Sequence, residues 1–399
     1  MEPNYETDTL NALVRRIFRI EDVTLGTPKQ GFIVRYRGKL TMEDSEAAYD
    51  YLFEQLKPKN ITPLFRWDGP QQAILLVPGI PKPRPSNPMV NLILFILTVI
   101  SVIYTGAVFS VSSIPSDPIQ AILTLLSNGW PFGLSMMGIL AAHEFGHYLV
   151  GRYHGVHLTL PYFLPLPFPI SPIGTMGAFI NMKELPRNRK ILLDIGVAGP
   201  LCGLIVAIPV LIYGLSISKI GPLPTLVSPT TLVQLEGNSI LYLLSKFVIF
   251  GKLLPAPASY AGVSPLLYWL RFFFTAQPVP LGGIDVNISS IAWAGWAGLL
   301  VTAMNLIPAG QLDGGHMLYV LLGRKAAART LPFILAVLVL LGLAWSGWWL
   351  WAALIFFLGR TYAEPLDQIT PLDTNRKLLA VLALILFILT FSPVPLSIF

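Results

Sequence analysis

Four of the five histidines in this 399-residue chain lie between Ala141 and His157, in AAHEFGHYLVGRYHGVH. His143 and His147 are four residues apart, so on a helix they share one face and can reach a single metal ion. Neutral imidazole is a good zinc ligand. Glu144 projects about 100° further around the helix, close enough to poise a metal-bound water without joining the ligand set. The pattern is the H-E-x-x-H of zinc peptidases. There the metal lowers the pKa of its water from 15.7 towards about 7, and the carboxylate takes the proton.

A bare H-E-x-x-H is often a solvated helix face, but here the surroundings are oily. An ionisable group at mid-membrane costs about 2.5–3.5 kcal/mol on insertion scales. Three such groups within five residues need compensation, and a shared metal supplies it. A hydrolytic zinc also needs a third protein ligand and an open position. The best candidate lies in NLIPAGQLDGGHMLY, where Pro308 and Gly310 should break a helix and place Asp313 in the first turn of the next piece. His143 is nine residues before Arg152, and Asp313 eleven before Arg324. At 1.5 Å per residue these are depths of about 14 and 16 Å, so the groups can meet. His316 competes as third ligand, but a carboxylate completes many His₂ sites and favours Asp313.

Other residues carry weaker signals. Asn305 can donate to substrate or to a ligand, or satisfy backbone freed at the helix break. His154 and His157 lie beyond Arg152 and read as structural interfacial residues. Asp194 reads as a partner of Arg189 or Lys190. Gly196, Gly199 and Gly203 share a face, as do Gly295 and Gly298, and read as helix-packing positions and not chemistry.

These residues need a membrane to hold them. The chain is 54% hydrophobic and 12% charged, against about 25% charged for ordinary soluble domains, with a mean hydropathy of +0.64. We expect a polytopic α-helical membrane protein of about six to eight spans, with a small N-terminal soluble α/β domain. That domain covers residues 1–78: FIVRYRGKL alternates like a strand, EDSEAAYDYLFEQLKP reads as an amphipathic helix capped near Asp44, and ITPLFRWDG and QQAILLV read as two strands about a turn. Residues 79–88 form a stiff, basic, Pro-rich linker. The first span and an outer loop occupy 89–130, and an intramembrane core occupies 131–322 with an insert at 216–287. C-terminal spans fill 323–399.

Within this plan the spans run over Met89–Ser110, Pro131–Val150 and Ile191–Leu215, then Ile288–Leu322, and a last one starts near Leu378. Residues 331–359 make one tilted span or two short ones. LTLPYFLPLPFPISPIGTMGAFINM is apolar but too rich in proline for an ordinary span. Basic residues gather beside apolar segments, as the positive-inside rule expects. Lys82, Arg84, Arg152, the 183–190 run, Arg324, Lys325 and Arg329 can therefore all be cytoplasmic. The net charge of +6 reflects this distribution and points to the lipid bilayer, not to nucleic acid. Cys202 is the only cysteine, which excludes intrachain disulfides and thiolate metal clusters.

With HEFGHYL upstream, GTMGAFINM between and NLIPAGQLDGG downstream, the chain resembles the site-2 protease family of intramembrane zinc metalloproteases over about Pro131 to Leu322. The resemblance implies one catalytic zinc bound by His143, His147 and Asp313, with Glu144 as the base. It implies cleavage of membrane proteins within or beside a transmembrane helix. GTMGAFI corresponds to a membrane-dipping strand region thought to pair with unwound substrate, which makes Gly174, Thr175 and Gly177 candidate substrate-binding residues, with Asn305 a further candidate as a donor to substrate. Without a recognisable PDZ or CBS module, the chain looks most like the branch with plastid and cyanobacterial members. We expect a prokaryotic cell membrane protein, with the N-terminal domain and zinc access on the cytoplasmic side where the basic runs gather. The alternatives are a metal-ion or proton transporter or channel using the same His/Glu/Asp cluster, and a membrane scaffold without activity.

Overall fold

The computed structural model describes residues 7–82, 85–111, 113–225 and 234–398. Arg84 of the linker and the first six residues of the N-terminal unit lie outside these ranges.

The chain opens with α1 (Thr7–Arg15), β1 (Phe18–Leu25), β2 (Val34–Leu40), α2 (Ser45–Leu56), β3 (Ile61–Asp68) and β4 (Gln71–Pro78). The strands form one antiparallel sheet in the order β1-β2-β4-β3. Asp44 caps α2 by accepting from the Glu46 amide, as the sequence suggests. Sequence reading gives no sign of α1 and β1. In α1 only Leu10 and Val14 mark a buried face, and β1 is an edge strand whose charged residues mask the alternation. Leu10, Val14, Phe18, Tyr36, Leu52, Phe65 and Ile74 form the core of this unit.

A segment from the far end of the chain completes the sheet. The Phe65 amide donates to the Leu366 carbonyl at 3.0 Å, and the Gln368 amide donates to the Phe65 carbonyl at 3.0 Å. Ile369 joins the core. Arg66 donates to the carbonyls of Phe65, Pro365 and Leu366. Polar clamps fix the unit to the helical part of the chain: Glu46 accepts from Asn188 and pairs with Lys190 at 2.9 Å, Asp50 pairs with Arg187, and the Ser45 and Thr370 hydroxyls bond at 2.9 Å.

That helical part begins with α3 (Pro88–Ser110) and α4 (Pro118–Tyr153). The hairpin β5 (Tyr162–Pro165) and β6 (Thr175–Phe179) leads to α5 (Arg189–Ser216). Next come β7 (Lys219–Pro222), β8 (Gln234–Glu236), α6 (Ile240–Phe250), α7 (Pro265–Thr275), β9 (Ile284–Asn287), α8 (Ser290–Asn305) and α9 (Asp313–Leu322). The chain closes with α10 (Arg324–Leu341), α11 (Gly347–Leu358), α12 (Thr374–Thr390) and β10 (Leu396–Ile398). β7 pairs with β9 and β8 with β10. Residues 331–359 thus fall in two helices, and the described part of the insert holds short strands and the two short helices α6 and α7.

Both α3 and α5 are long and apolar enough to cross a membrane, with mean hydropathies of 2.5 and 2.4. Leu92, Ile93, Ile96 and Ile100 stand about half exposed along α3, a surface suited to lipid and not to water. The helix carrying His143 starts at Pro118, earlier than the expected Pro131. Asp117 caps it by accepting from Gln120, Pro118 takes the first turn where no amide partner is needed, and Pro131 sits inside the helix. Residues 118–130 are therefore helix and not loop. The packed interior of α3, α4, α5 and α8 is built from Phe132, Met136, Ile139, Leu204, Leu211 and Trp296.

Candidate metal centre

Three elements bring the metal-binding candidates together. α4 supplies His143 and His147 on one buried face, 4% and 6% exposed. The chain breaks between Asn305 and Asp313, where Gly310 has φ +55°, a value that favours glycine. After the break, Asp313 opens α9 and turns back towards α4. α5 packs against both and closes the site from the side.

His143 Nε2 lies 3.4 Å and His147 Nε2 3.3 Å from Asp313 Oδ2, and the two imidazole nitrogens are 3.3 Å apart. Charge-assisted hydrogen bonds run at about 2.7–2.9 Å, so this is not the spacing of a compact ion-paired cluster. Tetrahedral zinc with bonds of about 2.0–2.1 Å spaces its ligand atoms about 3.3–3.4 Å apart. The near-equilateral triangle therefore fits a tetrahedral divalent ion with one position open. His147 is also oriented for that role. Its Nδ1 lies 2.7 Å from the Ile195 carbonyl, which can only accept, so the proton sits on Nδ1 and Nε2 presents its lone pair. Among the described residues, these are the three whose ligand atoms converge as a metal set.

The same residues line a cavity of about 170 Å³ that also takes in Glu144, Asn305 and His316. Glu144 is 3% exposed. Asn305 holds its amide nitrogen 3.2 Å from His143 Nε2. His316 is outside the converging set, and its buried Nδ1 has no hydrogen-bond partner. The carboxylate, not His316, completes the triangle.

The other candidates separate. Ala178, Phe179 and Ile180, at the end of the β5–β6 hairpin, line the cavity. Gly174 and Thr175, expected to bind substrate, do not. The Gly174 carbonyl accepts from Ser101 of α3 at 2.6 Å, and the Thr175 hydroxyl donates to Leu164 at 2.8 Å, so both hold the hairpin in place. Gly177 has open space where a side chain would stand. Asp194 pairs with Arg376 at 2.6 Å and His154 at 3.0 Å, not with Arg189 or Lys190. Arg189 donates to the Val320 carbonyl, and Lys190 is held by Glu46. His157 pairs with Glu184.

One residue read as packing serves the site. A methyl group on Gly199 would stand 2.0 Å from His147 Nε2. The glycine face on α5 therefore makes room for the imidazole as well as for helix contact. A glycine one turn above a second, Gly203, was the available signal, but spacing alone does not say what fills the gap.

Histidines of an H-E-x-x-H helix and a carboxylate from a distant helix, all within apolar helices, define an intramembrane metallopeptidase-type centre. The chain belongs to the site-2 protease family: residues 131–345 match the model of peptidase family M50. Among similar proteins is the "Probable zinc metalloprotease EGY2, chloroplastic" of Arabidopsis thaliana, 31% identical over 73% of this chain and 47% of that protein. The "Probable zinc metalloprotease EGY1, chloroplastic" of the same plant is 28% identical over 77% of this chain and 53% of its own length. The protein of that name from Oryza sativa subsp. japonica is 27% identical over 82% and 54%. The chain thus spans about half the length of the curated relatives it matches.

Proposed function

We propose that the chain is an intramembrane zinc metalloendopeptidase that hydrolyses peptide bonds within or beside transmembrane segments of membrane proteins. The triangle of His143, His147 and Asp313 with Glu144 beside it carries this reading, and the relatives' names agree with zinc and proteolysis. His143, His147 and Asp313 would hold the ion. When bound, zinc supplies a Lewis acid that acidifies water and polarises a peptide carbonyl. Glu144 takes the proton from the attacking water and returns it to the departing amine. Asn305 and the unpartnered Nδ1 of His316 offer polar contacts to the substrate backbone beside the scissile bond.

A helical substrate hides its amides, so it must be extended to react. β6 has β5 on one side only, and its end reaches the cavity wall. We place the unwound substrate along that edge as an added strand, its backbone passing Gly177 and Phe179. Gly174 and Thr175 support this surface from behind.

For topology, we read about six to eight passages, with α8 and α9 as one broken passage and the β5–β6 hairpin as a re-entrant element. Arg187 and Lys190 pair with the N-terminal unit, so that unit lies on the side where basic residues gather. By the positive-inside bias this favours the cytoplasmic side, and we read the membrane as that of a prokaryotic cell.

The direct test is reconstitution of the purified chain with single-span substrates, followed by mass mapping of the cut. We expect zinc-dependent cleavage within or next to the span. Chelator-insensitive cleavage, or none of a broad panel with zinc bound, would sink the proposal.

A further inference from the structure

A second cavity, of about 880 Å³, lies between the N-terminal sheet and the ends of α9 and α10, away from the metal centre. Arg35 and Arg66 reach it from the sheet, Arg189 from the start of α5, and Arg324 and Lys325 from the start of α10. Only two carboxylates, Asp68 and Glu364, face these five cations.

The carboxylates are already shared. Glu364 pairs with Arg324 at 2.7 Å and stands 4.0 Å from Arg66. Asp68 is 2.7 Å from Arg37, outside the cavity, and 3.7 Å from Arg35. The Nε of Arg35 is buried without a hydrogen-bond partner. Among the described residues Lys325 makes no ion pair. Arg66 and Arg189 also donate to backbone carbonyls, but these carry no compensating charge, so positive charge in the cavity exceeds negative, five groups to two.

Helix polarity points the same way. An α-helix presents free amides and partial positive charge at its N-terminus, where acidic residues or anions belong. α10 is 18 residues long, begins on Gly323 without a side-chain cap, and carries Arg324 and Lys325 in its first turn. By contrast, α2, α3, α4, α5 and α12 each open on an Asp or Asn side chain that accepts a backbone amide. α9 and α11, like α10, lack a side-chain cap, but neither carries a basic residue in its first turn as α10 does. Two cations on an uncapped positive end make sense when an anion sits among them.

We infer that this cavity binds a phosphate-bearing anion between the N-terminal sheet and the start of α10. Guanidinium forks suit phosphate oxygens, and the ammonium of Lys325 adds a point charge. One wall consists of Leu321 and Leu322 at the end of α9, so the group can belong to the headgroup of an anionic lipid or to a soluble phosphate compound. Either would tie the N-terminal sheet to the helix whose first residue is Asp313.

Full-length wild type is compared with a Lys325→Gln, Arg35→Gln double variant and with Ala328→Glu. The latter adds a carboxylate to the cavity wall at an exposed position, so it serves if the double variant misfolds. Each protein is placed in phosphatidylcholine nanodiscs with and without phosphatidylglycerol, and lipid retained on extraction is counted by native mass spectrometry. Inorganic pyrophosphate is titrated separately by calorimetry. We expect wild type to hold one probe and the variants to bind it about tenfold more weakly or worse. Hydrogen exchange should slow in β3, β4 and the last turn of α9 when the probe binds. Retention of phosphatidylglycerol alone assigns the site to a lipid headgroup, and binding of pyrophosphate alone assigns it to a soluble phosphate. Binding of neither probe, or equal binding by wild type and both variants, overturns the inference. These readouts are independent of peptidase activity.

Discussion

Gly199 of α5 and His147 of α4 share one volume: a methyl group at residue 199 would stand 2.0 Å from Nε2 and 2.4 Å from Cδ2 of the imidazole. The ring is also anchored to α5 by its bond to the Ile195 carbonyl, one turn before Gly199. It cannot retreat without losing that bond and leaving Asp313. Gly199→Ala should therefore weaken metal binding about 10–100-fold, the range typical when support for a ligand is lost. Competition with a metal chelator measures this. Wild-type affinity in the variant would show that the ring has room to move.

Asp313 and His316 can be told apart by metal content. Asp313→Asn removes a corner of the triangle and should leave well under one zinc per chain after purification. His316→Gln should keep a full equivalent, because its imidazole lies outside the converging set. The reverse pattern would transfer the ligand role to His316.

Glu144→Gln separates binding from chemistry. The amide keeps the shape of the side chain but cannot take a proton. Metal content should match wild type, and cleavage should fall by about 10²–10⁴-fold, the usual range for a general base. Unchanged turnover would remove Glu144 from the proposed reaction.

A fourth expectation concerns assembly. Arg376 at the start of α12 forks onto both oxygens of Asp194 on α5, at 2.8 and 2.6 Å. Both side chains are partly shielded. Arg376→Gln should lower stability by about 1–3 kcal/mol, the range for charged hydrogen bonds, seen as a lower Tm in detergent. Metal content should stay intact, since the pair lies outside the metal cavity. An unchanged Tm would mean that the fork adds nothing to helix docking.

How much of this the sequence foreshadows depends on the range of the interaction. His143, Glu144 and His147 announce themselves through local spacing and the cost of ionisable groups among apolar residues. Asp313 is recoverable because the break at Pro308 and Gly310 is also local, and depth can be counted along helices. Partners are another matter. Asp194 turns to Arg376, 182 residues away, while the nearby Arg189 and Lys190 are drawn to other groups. Gly199 reads as a contact between helices because nothing local says that an imidazole fills the space. Gly174 and Thr175 sit in the right hairpin, but the bonds to Ser101 and Leu164 turn them from the cavity that Phe179 and Ile180 reach. The early start of α4 was written in Asp117 and Pro118 and hidden by Pro131.

The bond between Phe65 and residues 366–368 also has a meaning in time. Arg66 and Leu366 are 300 residues apart, and at about 5–20 residues per second a ribosome needs about 15–60 s to cover that distance. During that interval the outer edge of β3 waits without its partner, while the helices between are being delivered to the lipid. This unit is thus finished long after its own strands are made. Its completed sheet records that the intervening helices have been synthesised, and a chain stalled before residue 366 would carry an open strand edge.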